Sequence, residues 1–542
     1  MSVATEESRF DAGWRRPAPM ARAFAKLLYT WRSPGWSLSF ALLFSLPFIV
    51  AAMLAPALLS LAPTADLIAP IADARAVAGG ASALKNEATP FYALLLLAAD
   101  LFAEAPGRIH LVAKAFAAAL VAGPLAYFSA ARFPAAMTAL LAAAFAAYIA
   151  APFSGPAELA LAVFLAGAVC FACAPADESA ARARIEGAFG GALLAALWLL
   201  SPVFSLAGFV ALSACPFLTG RAGLVRYAGA LAMFAALAGF CELLSPGINL
   251  VRAGAASGLF SNGLSIAGES ATALGGVAAA TAVIIFCAAV FGGVEHARGW
   301  GAGLALVIVA FIAARLAGAN PAPVFLAGAA FAAFSVSSPF YDGVFRDHDR
   351  ASAALAAAAA SLTLFWTAAL AAHGAGQLML QQRAAEEAPA NIRAELALVQ
   401  PGGPTIAKWV EEGRFSTPEA RELFALAPVD QSAMLLEAAA RARKLAGQGV
   451  DVAILTGADA ACVIADKRRC LADGAAAAGA ANVVFVPRLD LDPATSAAKG
   501  RSEALLYTEF RLAEQTPLWD VWVRRGASLP AEIGVKLSAA IE

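Results

Sequence analysis

Long apolar runs recur along this chain up to about residue 380 and then give way to mixed patterning. They include Leu38–Leu61, Leu111–Ala131, Tyr227–Leu244, Ala271–Val290 and Ala353–Ala372. Each approaches the roughly 20 residues an α-helix needs to cross the hydrocarbon core. Lipid satisfies no free backbone N–H or C=O, so such runs are expected to span the membrane or to be buried among spanning helices. About eleven spans are predicted on this criterion. Phe91–Phe102 is shorter and carries Asp100, with Glu104 just beyond, which fits a helix lying at the interface.

Beyond Gln381 the pattern is that of a small water-soluble domain. Ser416-Thr-Pro-Glu offers an N-cap with an early proline, leading into Ala420–Leu426. Gln431–Leu445 has amphipathic helical spacing. Asp451–Leu455, Asn482–Val486, Leu505–Arg511 and Trp519–Arg524 carry the β-branched and aromatic content of strands. The expected fold class is therefore an α-helical polytopic membrane protein with a small C-terminal α/β domain. Its divisions are a cytoplasmic segment over 1–36, a membrane domain over 37–380 with a first outer loop at 62–110, and a soluble domain over 381–542.

Composition agrees with this division. Of 542 residues, 61% are hydrophobic and only 14% charged, which excludes an ordinary soluble globular protein. Abundant alanine and glycine let membrane helices approach closely. A formal net charge of −1 gives no reason to expect a nucleic-acid partner.

Basic residues fix the expected orientation, because Lys and Arg near helix ends stay on the cytoplasmic side. Arg9, Arg15, Arg16, Arg22, Lys26 and Arg32 precede the first run. With Phe91–Phe102 in the membrane plane, the loops holding Arg132, Arg182 with Arg184, Arg221 with Arg226, Arg298, and Arg346 with Arg350 all fall inside. That arrangement treats Gly187–Gly220 as two short helices broken at Ser201-Pro202, and leaves Arg252 in an outer loop, Pro246–Ser270. The soluble domain is then extracytoplasmic, on a multi-pass protein of the cytoplasmic (inner) membrane.

Cys170, Cys173, Cys215, Cys241 and Cys287 lie in or beside apolar runs and read as packing residues. Cys170 and Cys173 form a C-x-x-C without a second pair. Cys462 and Cys470 stand alone in the tail; an oxidising compartment would let them pair, and a reducing one would not. The tail holds no Gly-rich phosphate loop, zinc spacing or nucleophile elbow.

Candidate chemistry concentrates in the first outer loop, with Asp66, Asp73, Arg75, Lys85, Glu87, Asp100, Glu104 and Arg108. Within it stands Asn86-Glu87-Ala88-Thr89-Pro90-Phe91-Tyr92-Ala93-Leu94-Leu95, followed by Arg108 and a spanning run. This order resembles the GT-C superfamily of membrane glycosyltransferases, which includes protein O-mannosyltransferases and lipid A aminoarabinose transferases. Those enzymes carry an acidic motif, often D-E-x-R-Y, then E-K-P-P-L-Y-Y opening an interfacial helix, then an arginine and the second span. Glu87 falls on the glutamate, Pro90 on the second proline, Phe91 on the leucine and Tyr92 on the first tyrosine, while Ala88 and Thr89 replace Lys-Pro. Asp73-Ala74-Arg75 is similar to a shortened acidic motif.

The resemblance implies transfer of a sugar from a polyprenyl-phosphate donor, held at the membrane lipid surface, to a glycan, lipid or protein acceptor. A carboxylate must take the proton of the attacking hydroxyl, and a cation or fixed donor must stabilise the leaving phosphate. Asp73 is expected as base and Glu87 as second carboxylate, and the two could ligate a divalent metal ion with waters completing its shell. Arg75 and Tyr92 follow as substrate contacts from the motif. Lys114, Arg252 and Arg315, near outer helix ends, are the expected phosphate cations, and Glu158, after Pro156, is a further outer carboxylate. Each has a plainer competitor: a solvated loop acid, a helix-terminus charge or a snorkelling cation. His373 on a spanning run fits helix packing. The alternative functions are a non-catalytic membrane scaffold whose tail binds a partner, or a transporter. A transporter would show paired broken helices, and Ser201-Pro202 has no counterpart in a second half.

Overall fold

The computed structural model describes residues 65–78, 89–103, 106–129, 135–150, 155–172, 180–261, 297–319, 322–324, 428–464 and most of 471–527, with a few isolated positions elsewhere. Glu87, His373, Cys470, the Ser416 cap and nearly all of the runs Leu38–Leu61, Ala271–Val290 and Ala353–Ala372 lie outside the described residues.

The membrane part is built from helices α1 (Ala65–Ala78), α2 (Pro90–Asp100), α3 (Pro106–Ser129), α4 (Ala135–Ala150), α5 (Pro156–Ala172), α6 (Ala180–Leu200), α7 (Pro202–Ser213), α8 (Cys215–Leu244), α9 (Ile248–Ser261) and α10 (Ala297–Leu316). Among the described residues three stretches are long and apolar enough to cross a membrane: Gly107–Leu125, Ala180–Leu200 and Gly220–Leu244. Shorter apolar helices, including Pro90–Asp100, pack among them.

Proline placement sets several helix starts. Pro90, Pro106, Pro156 and Pro202 each open a helix, where a missing N–H costs nothing. The break at Ser201-Pro202 occurs as expected, with Ser201 extended at φ −154°. The helix before it, however, is not short. It runs 21 residues from Ala180, because the apolar stripe continues back through Ala183 and Gly187. The outer loop expected around Arg252 is likewise helical over Ile248–Ser261. Glu242 accepts hydrogen bonds from the backbone N–H of Gly247 and Asn249 there, so its carboxylate caps the first turn of α9.

Helices α6 and α8 run parallel and in close contact. A Cβ on Gly187 would come within 2.5 Å of the Arg226 carbonyl oxygen, and one on Gly191 within 2.3 Å of that of Ala230. Only glycine permits this approach, which replaces a hydrophobic driving force by dense backbone packing. Where they cross, the buried Glu186 carboxylate accepts from Arg226 Nε at 3.0 Å and from Arg182 Nε at 3.3 Å. Helices α3, α4, α5 and α6 alternate in direction through short connections, and Phe128 in the last turn of α3 packs on Phe189 midway along α6, with ring centroids 4.7 Å apart. The Trp198 indole donates to Asn249 Oδ1 at 3.1 Å. The starts of α3 and α9 thus share one end of the bundle with the finish of α6, and the arginine-bearing starts of α6 and α8 share the other.

The C-terminal domain contains α11 (Pro428–Ala446), β1 (Val452–Ile454), α12 (Ala460–Ile464), α13 (Gly474–Ala480), β2 (Val483–Pro487), α14 (Pro493–Glu509), β3 (Phe510–Gln515) and β4 (Trp519–Arg524). Its four-stranded sheet has the order β1-β2-β4-β3, with β1 parallel to β2 and the other pairs antiparallel. The small α/β domain is present. Leu505–Glu509 is helix and not strand: Leu506 is buried against the apolar cluster of Ala478, Val484 and Phe510, and the strand begins only at Phe510.

Candidate functional site

Helix α1 carries Asp73 and Arg75. Ile68, Ile71, Ala72 and Ala74 turn one face of it into the core, leaving Asp73 half-buried beside that face. Arg75 makes a two-pronged ion pair with Asp100 at the end of α2, from Nε to Oδ2 at 3.1 Å and from Nη2 to Oδ1 at 2.9 Å. Its remaining terminal nitrogen, Nη1, donates to the Cys462 carbonyl on α12 at 3.2 Å. The planar fork of an arginine suits this bidentate arrangement. Arg75, expected against substrate, is therefore engaged in joining α1 to α2 and to the C-terminal domain. Ile68 and Ile71 belong to the same buried apolar cluster as Met434, Ile454, Ala460 and Val463 of that domain.

The buried polar cluster lies behind this, at the start of α3. The Tyr92 hydroxyl and His110 Nδ1 are hydrogen-bonded at 2.8 Å, ring edge to face. One turn further on, Lys114 is only 2% exposed. The charge of Glu158 at the start of α5 acts on Lys114, the Tyr148 hydroxyl at the end of α4 feels the same carboxylate, and His110 lies in the field of Lys114. Glu158 Oε2 also accepts from the Gly155 N–H at 2.8 Å, the backward half of a capping box. A buried ammonium persists among apolar helices only with such compensating groups around it.

Of the expected residues, Tyr92 pairs with the unexpected His110 one turn before Lys114 on α3, while Lys114 and the unexpected Tyr148 lie within electrostatic range of Glu158. The i,i+4 spacing of His110 and Lys114 on an otherwise apolar helix was the signal available for His110. Arg252 is buried on α9, and Arg315 is partly buried in the last turn of α10.

The expected metal ligands were Asp73 and Glu87, and Glu87 lies outside the described residues. Among the described residues no group of three or more His, Cys, Asp or Glu converges. An apolar crevice of about 160 Å³ lies elsewhere, between α5, α6, α7 and α10, lined by Gly167, Gly190, Leu194, Gly208, Ala211 and Leu306 among others. Its walls offer hydrocarbon contact and no polar anchor.

Neither a known protein family, nor a characterised protein, nor a solved structure matches this chain.

Proposed function

We propose that this protein transfers a sugar from a polyprenyl-phosphate donor to a glycan, lipid or protein acceptor at the outer face of the cytoplasmic membrane, as a divergent GT-C-type enzyme with about eleven spans. One observation carries the reading: Tyr92, His110, Lys114 and Glu158 gather at the bundle end that also bears α1 with Asp73 and the docked C-terminal domain. The arginine-rich helix starts lie at the opposite end, as expected of a cytoplasmic face. Cys462 is disulfide-bonded, which suits an extracytoplasmic tail.

In this scheme Asp73 removes the proton from the acceptor hydroxyl as its oxygen attacks the anomeric carbon. The bond from that carbon to the phosphate oxygen breaks, and the negative charge left on the phosphate is stabilised by the positive field of Lys114 beneath the site. The charge of Glu158 favours the protonated ammonium, and Arg252 and Arg315 are further cations for the lipid phosphate. The test is release of polyprenyl phosphate from a polyprenyl-phosphate sugar by the purified protein. Asp73→Asn should lower turnover by about 100-fold or more. Equal turnover in the two proteins removes Asp73 from the reaction.

A second reading, a non-catalytic scaffold with a partner-binding tail, is favoured by the use of Arg75. The residue that corresponds to the acidic motif's arginine docks the tail instead of facing a substrate. It predicts no donor consumption by either protein.

A further inference from the structure

Helix α7 folds back along α6 from the break at Ser201-Pro202. The Ser205 hydroxyl donates to the Leu194 carbonyl at 3.0 Å, and a Cβ on Gly208 would come within 2.6 Å of the Leu194 side chain. The apolar crevice of about 160 Å³ lies along this hairpin, beside the stretch Ala180–Leu200 that is long and apolar enough to cross a membrane. Its floor is closed: Phe164, Leu194 and Leu197 are each only 2% exposed. Its lips are not, since Val210 on α7 and Ala305 on α10 are exposed. The crevice therefore opens sideways out of the bundle, where a bilayer offers hydrocarbon and no water. An apolar cavity of about 150 Å³ stays dry and takes up benzene, so this space suits a stretch of about six carbons of a lipid chain.

Toward one end of the bundle the crevice approaches basic residues. Gly190, in its wall, lies about 9 Å along the α6 axis from Arg184. Ala214, also in the wall, leads into α8, where Arg221 follows the kink at Gly220. Arg182 and Arg226 are held by Glu186. Arg184 and Arg221 are exposed, and neither pairs with a carboxylate of the described residues. A lipid with an anionic headgroup answers both features at once, its chain filling the crevice and its phosphate meeting the two arginines. We propose that the crevice binds one acyl chain of an acidic phospholipid from the leaflet at the arginine-bearing end, with the lipid phosphate on Arg184 and Arg221. The site stands whether or not the protein transfers sugars.

The experiment uses the full chain in detergent with phosphatidylglycerol or phosphatidylcholine, each carrying the same photoactivatable diazirine at mid-chain, and maps the labelled peptides by mass spectrometry. Phosphatidylglycerol should label 190–197, 208–214 and 305–309 at least about 5-fold more than phosphatidylcholine does. Arg184→Gln combined with Arg221→Gln should bring the two lipids to the same yield there. Ala211→Phe, which fills the crevice, should remove that label and leave labelling of 231–244 on α8 unchanged. If a variant does not fold, the comparison of the two lipids on wild type decides alone. Label spread evenly over the crevice and α8 overturns the site, as does an Ala211→Phe protein that keeps the crevice label. Equal labelling of the wild type by the two lipids overturns the acidic headgroup.

Discussion

Lys114 and Glu158 show how a single ionisable residue is tolerated in an apolar bundle. Glu158 is only half-buried, so removing either charge costs less than the about 3–5 kcal/mol of breaking a fully buried pair. Lys114→Met and Glu158→Gln should each lower the thermal midpoint of the detergent-solubilised protein, and the double variant should be less destabilised than the sum. Additive losses in this cycle would mean that the two groups do not act on each other. Asp520 on β4 makes a complementary case outside the membrane part. Burial pushes its carboxyl above the usual range, against the opposing influence of Arg488 3.9 Å away, of Gln515 and of Lys499. A raised folded pKa means that the folded state holds its proton more tightly, so stability falls as pH rises through the unfolded value toward the folded one. Asp520→Asn should therefore gain on wild type between mildly acid and neutral pH, by less than about 1 kcal/mol because the carboxyl is partly exposed to water. Protection of the β4 amides, followed against pH in both proteins, reads this directly.

At the scale of elements, legibility followed periodicity and failed where tertiary contacts decide. Trp519–Arg524 and Val452–Ile454 were readable as strands because β-branched and aromatic residues alternate or cluster there. Leu505–Arg511 has the same residue types, yet its first part continues α14, since Leu506 finds its buried partners only from a helix. The α6–α8 crossing was hidden for another reason: Gly187 and Gly191 announce a close approach, but not to which helix. The geometry makes a sharp forecast. Gly191→Ala should destabilise the bundle by about 1–3 kcal/mol, as overpacking does, because its methyl has no space beside the Ala230 carbonyl. Gly239→Ala, on the same α8 where an added methyl meets nothing within 4 Å, should be neutral or stabilising by up to about 1 kcal/mol. Thermal unfolding of the two variants side by side separates crowding from helix propensity. A Gly191→Ala protein as stable as wild type would mean that the helices do not approach this closely.

For the whole molecule, what matters is which groups share an end. The sequence placed Asp73, Tyr92, Lys114 and Glu158 on one side by counting spans and arginines, with no knowledge of distances. The short connections from α3 to α6, Trp198 on Asn249 and the α6–α8 crossing set the directions of the helices independently of any membrane. They put Tyr92, Lys114 and Glu158 together and leave Arg182, Arg184, Arg221 and Arg226 at the far end. What the sequence could not reveal was the tail's position, because the Arg75–Cys462 contact joins residues 387 apart. That contact ties the sidedness of the tail to that of α1, so one measurement settles both. Alkaline phosphatase fused behind the tail should be active, and a fusion in the 173–179 connection before Arg182 should be inactive, since the enzyme needs an oxidising compartment to form its disulfides. The reverse pattern would put Asp73 and the soluble domain in the cytosol, where neither a lipid-linked donor at the outer face nor a lasting disulfide is available to them.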